Sequence, residues 1–314
     1  MKHYFGIDVG GTFIKGAIIT EDGRIVVKSK IPTEHQKGGD AAVMNIKALC
    51  EDLLKEAKMS FDGITAIGMG VPGIIDSEAG VVILTKNLGW QSFEMAKKME
   101  EATGLKTKIA NDANAAALGE MKFGFGGAYR NIIMLTLGTG VGGGIIVDGK
   151  IVDGNRGAGA ELGHSVIVLG GEPCTCGRRG CLEAYASATA IIRDTKRAMT
   201  AHADSMLWEI GSIDAVNGKT AFDYYGKDEY ARAVVDSYIE HLACGITNFA
   251  NIFRPEAIVL GGGVCAQGDT LIEPLRKILK KDIFAKELGP EVKVLAAKLG
   301  NDAGSLGAAA LVIN

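Results

Sequence analysis

One pattern occurs twice in this chain: a glycine-threonine turn, a strand, an Asp-Gly turn and a second strand. Residues 11–20 resemble residues 138–147, and residues 22–26 resemble residues 148–152 in the same order. Two copies of a hairpin that brings backbone close to phosphate predict two similar α/β lobes with a cleft between them. The alternative is a chance similarity between two glycine-rich hairpins.

The hydrophobic pattern agrees with an α/β fold. Short apolar runs over residues 4–8, 64–69 and 106–110 predict strands. Residues 40–59 and 229–253 instead carry apolar residues at the spacing of amphipathic helices. The length of 314 residues suggests two domains.

Charge and cysteine usage exclude several classes of function. The chain has 34 basic and 37 acidic residues, for a net charge of −3. Binding to nucleic acid or to a membrane surface would need a basic patch, so neither is expected. No apolar signal-peptide segment follows the start, which favours the cytosol. We therefore expect the six cysteines to be thiols or metal ligands rather than disulfides.

Glycine accounts for 44 of the residues and gathers at three turns that follow predicted strands. Glycine lets backbone N–H groups approach phosphate oxygens, and three such turns suit a nucleoside triphosphate. Asp8, at the end of the first strand, is suited to hold Mg²⁺ through water. For any one turn, a plain hairpin is the alternative. The turns contain Gly10, Gly11 and Thr12; Gly138, Thr139 and Gly140; and Gly261, Gly262 and Gly263.

Asn111 and Asp112 stand at a predicted junction between a strand and a helix. A carboxylate at such a junction can accept the proton of a substrate hydroxyl during phosphoryl transfer, as Asp does in kinases. Asn and Asp are also good helix N-caps. From this feature alone, capping is the favoured interpretation.

Four potential metal ligands lie close together in the sequence, namely His164, Cys174, Cys176 and Cys181. One imidazole and three thiolates form a closed tetrahedral zinc site, which leaves no position for a reactive water. We therefore expect a structural zinc ion that orders the neighbouring residues, and the remaining glycine excess is expected where the chain wraps this metal. Three free thiols or a strained disulfide are the alternatives.

Side chains suited to sugar recognition accompany these motifs. Carboxylates and amides can pair with two adjacent hydroxyl groups. Glu161 and Glu183 flank the predicted zinc loop, so the metal can position both. His164, Asn87 and Asn111 complete the set. For each of them alone, a surface or capping role is the alternative.

Together these motifs resemble the ROK family (repressors, open reading frames and sugar kinases), within the actin-like and hexokinase-like ATPase superfamily. Within that family the chain most resembles the glucokinases of Gram-positive-type bacteria. The resemblance extends over nearly the whole chain. It is most specific at the Glu-x-Gly-His motif of residues 161–164 and the C-x-C-G-x-x-G-C-x-E motif of residues 174–183. The other matching segments are residues 6–12, 70–73, 87–90, 111–117, 137–144 and 260–263.

The resemblance implies an α/β fold of two actin-like (ribonuclease H-like) lobes with a central cleft and a zinc-binding loop. The small lobe is expected to comprise residues 1–111 plus 303–314. The large lobe is expected to comprise residues 112–302, with the zinc motif over residues 164–181. A homodimer is expected, because relatives are commonly dimers.

The resemblance also implies phosphorylation of a hexose at its 6-hydroxyl, with ATP, Mg²⁺ and a structural Zn²⁺. Asp112 would be the general base, and His164 would give one ring nitrogen to zinc and the other to sugar. Lys15 would contact phosphate or lie on the outer face of its hairpin. The implied sugar contacts are Gly73, Asn87, Asn111, Asp112, Glu161, His164 and Glu183. The implied nucleotide contacts are Asp8, Gly10, Gly11, Thr12, Lys15, Gly138, Thr139, Gly140, Gly261, Gly262 and Gly263.

D-Glucose is the first expectation for the sugar, but several alternatives share these motifs. Kinases of N-acetylglucosamine, N-acetylmannosamine, fructose and allose belong to the same family, as do sugar-sensing proteins without kinase activity. The repressors of the family add an N-terminal winged helix, for which a first strand at Tyr4 leaves no room. A polyphosphate-dependent kinase would add basic residues around the donor groove.

Overall fold

Residues 1–313, which the computed structural model describes, form two units of chain. Unit 1 comprises Met1–Arg130, Gly144–Ala160 and the residues from Lys298 onward, and unit 2 comprises Asn131–Gly143 and Glu161–Ala297. These bounds differ from those expected for the two lobes, most clearly because residues 112–130 and 144–160 belong to unit 1. The assignment of the lobes stays a prediction.

Runs of strands are separated by single helices or by groups of helices in the described chain. The strands are β1 (His3–Val9), β2 (Phe13–Thr20), β3 (Ile25–Pro32), β4 (Ile67–Val71), β5 (Ile74–Asp76), β6 (Val81–Leu84), β7 (Gln91–Phe93), β8 (Thr107–Asn111), β9 (Ile132–Leu137), β10 (Val141–Val147), β11 (Lys150–Ile151), β12 (Ala257–Gly261) and β13 (Lys293–Ala296). The helices are α1 (Gly38–Ala57), α2 (Met95–Thr103), α3 (Asp112–Gly119), α4 (Glu183–Ala186), α5 (Ala188–Ala201), α6 (Thr220–Asp223), α7 (Glu229–Phe253), α8 (Asp269–Asp282) and α9 (Ala303–Ala310). None of the helices within residues 1–313 has the length and apolar character to cross a membrane.

The main sheet of unit 1 has the order β3-β2-β1-β4-β8. β1, β2 and β3 are antiparallel neighbours, whereas β4 and β8 continue the sheet parallel to β1. The carboxyl ends of β1, β4 and β8 therefore lie at one edge of the sheet, and this edge carries Asp8 and Asp112. A smaller antiparallel sheet consists of β5, β6 and β7.

Helices cover both faces of this sheet. On one face, Ile46, Leu49 and Leu53 of α1 are buried in a core that also contains Met95 and Met99 of α2. On the other face, α9 packs against β1 and β2 in a second cluster of buried apolar side chains. Seven of the eight residues of α9 are buried, as is typical of a helix that is apolar on every side.

Glycines allow α9 to approach the sheet at backbone distance. A Cβ atom at Gly6 would lie 2.0 Å from the carbonyl oxygen of Ser305, and one at Gly68 would lie 1.8 Å from that of Ala308. Both separations are far below van der Waals contact. The expectation that the glycine excess serves phosphate and metal sites was therefore incomplete, because part of it serves packing between helix and sheet.

The same close approach joins α9 to α3. A Cβ atom at Gly307 would lie 2.0 Å from the carbonyl oxygen of Ala115. We expect Gly307→Ala to lower the free energy of unfolding by about 1–3 kcal/mol in urea titrations, since the two helices must separate. Gly226→Ala is the matched control, because a Cβ there meets no atom within 4 Å. Equal stability of the two variants would contradict this packing.

The second five-stranded sheet repeats the strand order of the first, as β11-β10-β9-β12-β13. β9, β12 and β13 are parallel, and β10 and β11 are antiparallel. In each sheet the first strand in sequence is central and is followed by a glycine turn and the second strand. The two similar sequence segments therefore occupy corresponding positions in the two sheets.

The long helix α7 has the bounds predicted from the sequence, Glu229–Phe253. Its N-cap is Asp228, whose carboxylate accepts the N–H of Ala231 at 2.7 Å. Burial alone would raise the pKa of Asp228, but the N–H groups of Ala231 and Met206 and a serine hydroxyl hold it below its usual value. The helix ends at Arg254, which adopts the left-handed conformation directly before a proline.

Candidate active site and metal centre

The turn between β1 and β2 carries the first residues predicted to face phosphate. Gly10 closes the turn through a backbone hydrogen bond of 3.0 Å, and Gly11 and Thr12 are exposed. Lys15 lies opposite Asp8 in the β1–β2 register, and the distance from its Nζ to Asp8 Oδ2 is 3.4 Å. The ammonium group therefore lies beside the carboxylate predicted to hold Mg²⁺, and a contact of Lys15 with phosphate stays a prediction.

The second and third glycine turns lie side by side in unit 2, because they follow the parallel neighbours β9 and β12. Gly262 has a φ of +89°, and a Cβ there would lie 2.4 Å from the carbonyl oxygen of Leu137. Glycine is required at this position by both conformation and space. The two turns are thus neighbours at the carboxyl ends of the strands, with Thr139, Gly262 and Gly263 exposed.

The first turn of α5 fixes the second glycine turn from outside. Ala188 N–H donates to Gly138 O at 2.7 Å, and the Thr189 hydroxyl donates to Thr139 O at 2.7 Å. This role of Thr189 was not predicted from the sequence. Ser187, the N-cap of α5, is the signal that places Thr189 in the first helical turn.

Asn111 and Asp112 occupy different positions at the start of α3. Asn111 is the N-cap of α3, and its Oδ1 accepts the N–H groups of Ala113 and Asn114 at 2.9 and 3.2 Å. Its Nδ2 donates to the carbonyl oxygen of Gly73 at 3.0 Å. Asp112 is the first residue of the helix, so its carboxylate is not required as the N-cap. Capping is therefore confirmed for Asn111, and the role of Asp112 as a base stays a prediction.

The other predicted sugar contacts of unit 1 lie near the small sheet. Gly73 has a φ of +104°, and a Cβ there would lie 2.2 Å from the carbonyl oxygen of Leu84 on β6. Asn87 is exposed in the connection between β6 and β7. Gly73 and Asn111 therefore meet directly, whereas Asn87 lies in a separate turn.

The four predicted metal ligands come together in unit 2, with all their ligand atoms within 4.8 Å of one another. Cys174 Sγ lies 3.5 Å from His164 Nδ1, and Cys176 Sγ lies 3.7 Å from Cys181 Sγ. Around a tetrahedral zinc ion, sulfur ligands are about 3.8 Å apart and a sulfur–nitrogen pair is about 3.5 Å apart. The cluster therefore fits a zinc ion. All six cysteines are free, so the disulfide alternative is wrong.

His164 is oriented by the turn that carries it. Residues Leu162–His164 form a 3-10 turn, and a Cβ at Gly163 would lie 2.0 Å from the carbonyl oxygen of Val141. The glycine of the Glu-x-Gly-His motif thus lets this turn pack against β10. Because Nδ1 faces the thiols, Nε2 is the ring nitrogen that remains for a second partner.

The thiols of the cluster differ in acidity. Burial raises the pKa of Cys181 to about 12 and also raises the pKa of Cys174. The backbone N–H of Arg178 lowers the pKa of Cys176. Metal ligation requires thiolates, so a metal ion must displace protons from the first two thiols as it binds.

Glu183 links the metal loop to the second glycine turn. Its Oε1 accepts the Thr175 hydroxyl at 2.7 Å, and its Oε2 accepts the N–H of Val141 at 3.1 Å. Glu161 is exposed directly before the turn of His164. Unit 2 therefore groups Glu161, His164 and Glu183 around the metal cluster, while unit 1 groups Gly73, Asn111 and Asp112.

The fold is the mixed α/β fold of the ROK sugar kinases. The structure is similar to the crystal structure of a ROK family glucokinase from Streptomyces griseus in complex with glucose and AMPPNP. The TM-score is 0.80 and the sequences are 34% identical, with 98% of each chain covered.

This chain belongs to the ROK family, which matches residues 4–314. It is 42% identical to a glucokinase of Halalkalibacterium halodurans over 99% of this chain and 95% of that relative. It is 37% identical to a glucokinase of Thermotoga maritima over 98% of this chain and 96% of that relative. The resemblance inferred from the sequence motifs is thereby confirmed.

Proposed function

We propose that this protein is a glucokinase, which transfers the γ-phosphoryl group of ATP to the 6-hydroxyl of D-glucose. The observation that carries the proposal is the 42% identity to a glucokinase over 99% of this chain. The similarity to a relative crystallised with glucose and AMPPNP supports the same substrate pair. On the same grounds we propose two ribonuclease H-like lobes with a central cleft.

Asp112 is the proposed general base. It accepts the proton of the 6-hydroxyl as the sugar oxygen attacks the γ-phosphorus, the bond to the bridging oxygen breaks, and ADP leaves. The N–H of Ala113 donates to Asp112 Oδ1 at 2.9 Å. A position at the N-terminus of α3 favours the ionised carboxylate, which is the form that a base requires.

Six residues are proposed to bind the hexose. Glu161, His164, Glu183, Asn87 and Asn111 would hold sugar hydroxyls through their side chains, and Gly73 would do so through its backbone. His164 supports this assignment because Nδ1 faces the metal cluster, which leaves Nε2 for a hydroxyl group.

The three glycine turns are proposed to bind the phosphates of ATP through backbone N–H groups. The exposure of Gly11 supports this role, because the backbone of the first turn is open to a ligand. The packing of Gly262 against Leu137 supports it as well, because no side chain can replace the glycine in the third turn. When bound, Mg²⁺ would neutralise phosphate charge. Asp8 would hold this ion through water, and Lys15 beside it would contact phosphate.

The metal of the Cys₃His cluster is proposed to be a structural zinc ion. His164, Cys174, Cys176 and Cys181 would fill all four positions, and the ion would order the loop without reacting with substrate. We also propose a homodimer, on the family resemblance alone.

The substrate assignment is tested by the release of ADP from ATP with a panel of sugars. We expect kcat/KM for D-glucose to exceed that for N-acetylglucosamine, N-acetylmannosamine, fructose and allose by at least about tenfold. Polyphosphate in place of ATP should give no product. A preference for an N-acetylated sugar would replace glucose as the substrate, and tight sugar binding without ADP release would identify a sensor protein.

A further inference from the structure

Thr175 stands between two of the cysteines of the metal cluster and donates its hydroxyl to Glu183. The distance from Thr175 Oγ1 to Glu183 Oε1 is 2.7 Å. The other carboxylate oxygen accepts the N–H of Val141 at 3.1 Å. The carboxylate is therefore held on one side by the metal loop and on the other by the second glycine turn.

Two donors on different oxygens fix the plane of a carboxylate, whereas one donor leaves it able to rotate. The space for this arrangement comes from Gly140, where a Cβ would lie 2.3 Å from Glu183 Oε2. Cys174 Sγ also lies 3.6 Å from Oε1, but as a metal-bound thiolate it has no proton to donate. Of these two side chains, Thr175 is therefore the one that still donates a hydrogen bond to Oε1 once a metal is bound.

The acceptor capacity of Glu183 matches a sugar. An ionised carboxylate offers about four lone-pair positions, two on each oxygen. Thr175 occupies one position on Oε1 and Val141 occupies one on Oε2. One acceptor position then remains on each oxygen, which is the arrangement that pairs with two adjacent hydroxyl groups.

We propose that Thr175 is a positioning residue for sugar binding: its hydroxyl holds Glu183 in the orientation that accepts two hydroxyls of the hexose. This inference rests on the proposed function, in which Glu183 contacts the sugar. Because Cys174 and Cys176 flank Thr175 in the sequence, a bound metal ion would fix the backbone from which the hydroxyl reaches. Thr175 is then the connection through which the metal affects sugar affinity.

The test compares Thr175→Val with Thr175→Ser in the full-length protein. Valine keeps the shape and removes the donor, so we expect the Kd for D-glucose, measured by calorimetry, to rise about tenfold. Serine restores the hydroxyl and should stay within about twofold of the wild type. Zinc content and the KM for ATP should be unchanged in both variants. A general loosening of the loop would instead change at least one of these two quantities.

A second background shows whether Thr175 acts through the carboxylate. In Glu183→Ala, the further change Thr175→Val should alter the Kd for D-glucose by less than about twofold, because the acceptor of the hydroxyl is already absent. A tenfold loss there would overturn the positioning role. An unchanged Kd in Thr175→Val alone, or loss of zinc from that variant, would also overturn the positioning role.

A wild type that binds but does not phosphorylate glucose would refute the proposed function and leave the Kd comparison as the test of Thr175. A wild type that binds no glucose would overturn both.

Discussion

Replacing Asp112 with Asn is expected to lower kcat for glucose phosphorylation between about a hundredfold and ten-thousandfold. Asparagine has nearly the same shape but cannot accept the proton of the 6-hydroxyl. The Kd for glucose should change by less than about threefold, because the lost interaction acts on the transition state. Steady-state kinetics and calorimetry on the same preparation measure the two effects separately.

Asp40→Asn is the matched control for this variant. Asp40 also lies in the first turn of a helix in unit 1, it pairs with Lys98 at 2.7 Å, and it is not one of the predicted sugar contacts. Its replacement should leave kcat within about twofold of the wild type. If Asp112→Asn retained more than a few per cent of kcat, Asp112 would not be the base.

Replacing Cys176 with Ser is expected to remove the metal and then the sugar affinity. Zinc content should fall from one ion per chain to nearly none, because a hydroxyl is a poor zinc ligand. The Kd for glucose should rise at least about tenfold, since His164 and Glu183 lose the loop that positions them. Metal analysis and calorimetry on the purified variant provide both readouts.

Cys244→Ser is the control for this second variant. Cys244 is an exposed thiol on α7 and is not part of the metal cluster. It should keep both zinc and glucose affinity. Metal-free Cys176→Ser with the glucose affinity of the wild type would show that the loop does not need its ion.

The sequence predicted the regular elements where periodicity and end signals agree. The helix α7 was predicted with its observed bounds, since Asp228 caps its start and Pro255 follows its end. The small sheet of β5, β6 and β7 was not predicted, because strands of three or four residues are too short to show alternation. The helix α8 was also missed, although Leu271, Leu275 and Leu279 lie on one of its faces.

At the candidate site, the sequence predicted which chemical groups are present better than it predicted which residue has which role. The metal cluster could be predicted because its ligands lie within one short segment. The partition between Asn111 as cap and Asp112 as candidate base depends on where α3 begins, and sequence patterns place helix ends poorly. The contact of Thr175 with Glu183 depends on the fold of the metal loop, and no spacing rule predicts it.

The activity proposed for this protein is the transfer of the γ-phosphoryl group of ATP to the 6-hydroxyl of glucose. Phosphorus NMR of the protein with glucose, ATP and Mg²⁺ tests it most directly, because the spectrum identifies the phosphorylated position. We expect one glucose 6-phosphate for each ADP formed. ATP hydrolysis without a sugar phosphate, or a phosphate on another hydroxyl, would contradict it.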